Sequence, residues 1–145
     1  MQTWGTGVFD NEAAVEWSAE FDRAAPGKRS AIVRTALMAV FDHSDHHAGP
    51  AAVAAATTVA ARLPGGPLLV TNYGPKSLSD KDFSLTMELP DLAVAALHKC
   101  RAADSEWSKL WERETMLDDA IAVVDAVLDE LDERSAQMIT ARAAS

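Results

Sequence analysis

Apolar positions near the start of the chain recur at helical spacing. Over residues 10–23, Ala13, Trp17 and Phe21 return every fourth position while Glu12, Glu16 and Glu20 fall elsewhere around the helix, so the segment predicts an amphipathic helix. Ala25-Pro26-Gly27 interrupts it. Ile32, Val33, Ala36, Leu37, Val40 and Phe41 then form a broad one-sided stripe, which predicts a second helix with Lys28, Arg29 and Arg34 left for solvent. The polar run Asp42-His43-Ser44-Asp45-His46-His47, followed by Gly49, breaks that pattern. Pro50 suits the first turn of a third helix, where its missing N–H costs nothing. That helix reads AAVAAATTVAARL and stops at Pro64-Gly65-Gly66-Pro67; its alanines imply close backbone approach to neighbours.

Residues 68–89 admit two readings. Phe83, Leu85, Met87 and Leu89 alternate with Ser84, Thr86 and Glu88, which fits a strand paired with 68–71 in a small β-hairpin. An isolated hairpin is marginal, and a long loop with one helical turn accounts for the same residues. From Pro90, DLAVAALHKC predicts a fourth helix, and Asp104 or Ser105 can cap a further one. Trp107, Leu110, Leu117, Ile121, Val124, Leu128 and Leu131 continue a helical seam, either as one long helix or as two with a break near 114–118. The expected fold class is all-α: a compact single-domain bundle of about five or six helices over residues 1–145, with a frayed tail at 135–145.

Composition narrows what such a bundle can do. With 145 residues, 48% of them hydrophobic, the chain can bury a core without metals or disulfides. Its 13 basic and 22 acidic residues give a net charge of -9, which repels phosphate backbones and anionic lipid surfaces. Neither nucleic acid nor a membrane is therefore an expected partner. Cys100 is the single cysteine, which suits a reducing cytoplasm and excludes an intrachain disulfide. MQTWGTG has neither a basic start nor an apolar run, and no apolar segment approaches the roughly 20 residues that span a bilayer. The expectation is a soluble cytoplasmic protein, monomer or homodimer.

The opening stretch WGTGVFDN fits an anion cradle poorly. No strand is expected before it, no Walker-type lysine is near, and Asp10 and Glu12 place negative charge where an anion would sit. A structural role needs fewer assumptions: Asp10 or Asn11 caps the first helix, Phe9 packs ahead of the cap, Trp4 anchors the arm, and Gly5 and Gly7 shape the bend.

WGTGVFDNEAAVEW, from Trp4 to Trp17, resembles the N-terminal signature W-G-x-G-x-F-x-N-D-x-A-x-x-W of the bacterial family called domain of unknown function 4259. AAVAAATTVAA resembles that family's central alanine-rich helix, and SEWSKLWE, carrying Ser105, Glu106, Trp107, Leu110 and Trp111, resembles its S-E-L-x-x-L-W-x-E segment. The resemblance implies a small helical bacterial protein and brings no established activity. Two departures stand out against the family pattern: Thr57 where a glutamate is usual and Trp107 where leucine is commoner. The first puts any carboxylate role at that position in doubt.

Three constellations invite chemical readings. His43, Asp45, His46 and His47 could ligate one divalent transition metal, yet their spacing matches no established motif, and a solvated turn uses the same residues. Cys100 beside His98 could be read as a nucleophile, but residues two apart on a helix face about 200 degrees from one another. A reduced core cysteine is the simpler account. Asp129, Glu130, Asp132 and Glu133 form an acidic, solvated face suited to a basic partner. No cofactor is expected, and the weight falls on a non-enzymatic interaction module, immunity-like or regulatory, that binds another protein. A metal-binding protein or metal-dependent hydrolase centred on 42–47 is the alternative.

Overall fold

The first helix begins where a side chain replaces a missing backbone partner. In the computed structural model, which describes residues 7–42, 48–63, 74–76, 78 and 83–144 (side chains to 137), the extended Asn11 precedes α1 (Glu12–Arg23) and its Oδ1 accepts from the Ala14 N–H at 2.8 Å. That satisfies one of the four donors that every helix start leaves unpaired. Ala14, Trp17, Ser18 and Phe21 face inward. Trp17 stacks on Phe21 at 5.4 Å between ring centroids, and Phe21 meets the edge of Phe83 at 5.3 Å.

The C-terminal end of α1 corrects one sequence expectation. Arg29 was to face solvent with Lys28 and Arg34, but it is buried, and its guanidinium donates to Phe21 O at 3.0 Å and Asp22 O at 2.9 Å. Both carbonyls lie in the last turn, beyond the regular helical ladder, where Phe21 O also accepts from the Ala24 N–H at 3.3 Å, and a cation there meets the negative end of the helix dipole. The group lies 5.7 Å from the Phe21 ring centroid, so burial is compensated by charge-assisted hydrogen bonds and a cation–π contact.

A 3-10 turn, Pro26–Lys28, leads into α2 (Arg29–Ala39), which buries Val33 and Leu37. The central element is α3 (Gly49–Arg62), which touches each of the other five helices and is buried around most of its circumference. Alanines at 52, 54, 55, 56 and 60 let neighbours approach it closely. Thr57 and Thr58 bond back to Val53 O and Ala54 O, each at 2.8 Å, so the buried hydroxyls are satisfied within the helix.

Phe83 reaches the core from the segment before α4 (Glu88–Arg101). The expected hairpin over 68–89 falls partly outside the described residues. Within them, 83–86 forms no strand, and its carbonyls go elsewhere: Arg62 donates to Phe83 O at 3.0 Å and Ser30 donates to Ser84 O. Helix α4 starts two residues before Pro90, which occupies its first turn without cost.

Residues 105–144 form two helices, α5 (Glu106–Arg113) and α6 (Leu117–Ala144). The Thr115 N–H donates to Glu112 O and the Met116 N–H to Trp111 O, both at 3.0 Å, with Thr115 at φ 57. This is the left-handed helix stop usually given to glycine. Ala120, Val124, Val127, Leu128 and Leu131 of α6 complete the core. The backbone of α6 continues to Ala144, and its side chains are described as far as Gln137. Among the described residues the architecture is six helices, five of them packed around α3, the all-α bundle that the periodicity implies.

Candidate functional site

Three stretches singled out in the sequence converge on one packing contact. Gly7, Val8 and Asn11 from the front turn, Pro50 and Val53 from α3, and Trp107 and Trp111 from α5 border the same small gap. Its volume is about 10 Å³, space for roughly one water molecule. Trp4 and Gly5 lie outside the described residues. Phe9, two positions before the cap, is buried, as are Trp17, Trp107 and Trp111. The Trp107 and Trp111 rings meet at 6.4 Å and 63°.

Each motif residue has a local task. The Asp10 N–H donates to Gly7 O at 3.0 Å, closing the front turn, and a Cβ on Gly7 would sit 2.5 Å from an Asp10 carboxylate oxygen. Asn11 caps α1 and donates from Nδ2 to Val8 O at 3.3 Å. Ser105 joins two helices: it accepts from the Ser108 N–H at 3.0 Å to cap α5, and it donates to Cys100 O near the end of α4. Ser108 donates to the same carbonyl at 3.2 Å. Glu106 pairs with Lys109 at 3.7 Å, and Leu110 packs partly buried against the core. The indole N–H groups of Trp17 and Trp111 are buried without a hydrogen-bond partner among the described residues, so what these rings contribute is apolar burial.

The candidates for chemistry are placed as follows. Cys100 is buried, and burial pushes its thiol from the ordinary value of 9.0 up to about 12, which disfavours the nucleophilic thiolate. His98 is exposed on the other side of α4. His43, Asp45, His46 and His47 lie outside the described residues. The residues that flank them, Asp42 and Ala48, both border a cleft of about 180 Å³ that also touches Lys99, Cys100, Asp104 and Glu106. Asp129, Asp132 and Glu133 are exposed on α6, while Glu130 accepts from Arg134 Nε at 3.2 Å and Leu131 between them is wholly buried.

A larger feature escaped the sequence reading. Between α1, α2 and the start of α3 runs an open groove of about 710 Å³, floored by Trp17 and Ile32 and walled by small side chains including Ala24, Ala31, Ala36 and Ala39. Glu20 and Lys28 stand on its border. Glu16, one turn before Glu20 on α1, is exposed as well. The available signal was the run of alanines along α2: a stripe of small residues leaves space where Leu or Phe would close the seam between two helices.

Compared with known proteins, the chain matches the family model Domain of unknown function (DUF4259) over residues 2–122. No curated protein and no solved structure matches it.

Proposed function

Because the chain belongs to the DUF4259 family, whose description carries no activity, we propose from its own geometry that it is a non-enzymatic interaction module whose α1–α2 groove receives a segment of another, basic protein. The observation that carries this reading is the groove itself. Its volume of about 710 Å³ is comparable to that of ligand-binding clefts, and its walls are mostly apolar, with Glu20 and Lys28 on the border. The net charge of -9, with Asp129, Asp132 and Glu133 exposed on α6, supports long-range attraction of a cationic partner. We take residues 1–145 as one helical domain acting in the cytoplasm, in keeping with a single free, buried cysteine. Among the described residues no helix is long and apolar enough to cross a membrane.

Thr35 is exposed on the groove wall, so Thr35→Trp fills the groove at little risk to the core. A partner bound by the wild type should be lost from this variant while its helicity and melting temperature stay unchanged. Retention of the partner would remove the groove from consideration. Loss only on charge reversal of Asp129, Glu130, Asp132 and Glu133 would move the site to α6.

A second reading, a divalent transition metal held by His43, Asp45, His46 and His47, draws on the cleft where Asp42, Asp104 and Glu106 gather. Metal analysis of untagged protein beside a His43, His46, His47 triple-alanine variant tests it. Metal-free wild type ends that reading.

A further inference from the structure

We draw no further inference here: the strongest candidate, the open groove between α1 and α2, belongs to the site already described, and with Glu20 and Lys28 of opposite charge on its border nothing in the structure says more of what covers it.

Discussion

Gly49 offers a test in which two known effects oppose each other and the structure decides the sign. It is the first residue of α3, and replacing a helical glycine by alanine ordinarily stabilises, by up to about 1 kcal/mol in a helix interior and less at the end. Here a Cβ would stand 2.8 Å from Trp107 Cβ, 2.8 Å from its Cδ1 and 3.1 Å from its Cγ. Carbon atoms in favourable contact lie roughly 3.5–4.0 Å apart, so the overlap approaches 1 Å. The ring could turn, but Cβ is fixed by the backbone, and no rotamer moves it. Relief therefore requires α5 to back away from α3, which opens the seam that holds Trp111 and the front turn. Overpacking of this kind costs about 1–3 kcal/mol, which exceeds the propensity gain and leaves Gly49→Ala about 1–2 kcal/mol less stable. For a chain of 145 residues that lowers the melting temperature by roughly 3–8 °C, readable by far-ultraviolet circular dichroism. Gly27→Ala is the internal control, because nothing lies within 4 Å of its Cβ and the position is exposed; it should be neutral or slightly stabilising. Trp107→Leu retains its Cβ and should rescue Gly49→Ala only in part. A melting temperature for Gly49→Ala at or above wild type would refute the reasoning.

Other outcomes follow from single contacts. Thr115→Gly should raise stability by up to about 1 kcal/mol, because a β-branched residue at φ 57 occupies a conformation that glycine adopts freely; an unchanged or lower melting temperature would count against the helix stop described here. Asn11→Ala should cost about 1 kcal/mol by removing the cap on Ala14 N–H, while Asn11→Asp should stay close to wild type; equal losses in denaturant titrations would show that the Nδ2 bond to Val8 matters more. Cys100 should resist alkylation in the native state. Its folded thiol titrates near 12 against 9.0 when unfolded, so its contribution to stability is complete below about pH 9 and is lost as pH rises toward 12; Cys100→Ala should flatten that alkaline decline, and an unaltered slope would place its origin elsewhere.

Much of the bundle could be read along the chain because its instructions are local. Helical periodicity marks Trp17 and Phe21 in α1 and Val33 and Leu37 in α2, and side-chain oxygens at Asn11 and Ser105 begin helices where hydrogen-bond donors would otherwise be unpaired. The capping role of the WGTGVFDN stretch was legible for the same reason. Its union with SEWSKLWE was not, since no pattern within either stretch specifies that Asn11 and Trp111 border a common gap. Residues 83–86 show how a local pattern is overridden: alternation suits a strand, but Arg62 and Ser30 claim the carbonyls that a strand partner would need.

The sequence by itself thus determined which segments coil, which faces turn inward and where most helices start, all consequences of interactions between residues a few positions apart. Only the tertiary structure decided that Arg29 is buried, that Gly49 must lack a side chain beneath Trp107, and that α1 and α2 stand far enough apart to leave a groove. Each of these depends on what a distant segment places nearby: the carbonyls of a helix end, a ring, or alanines too small to fill the space between two helices.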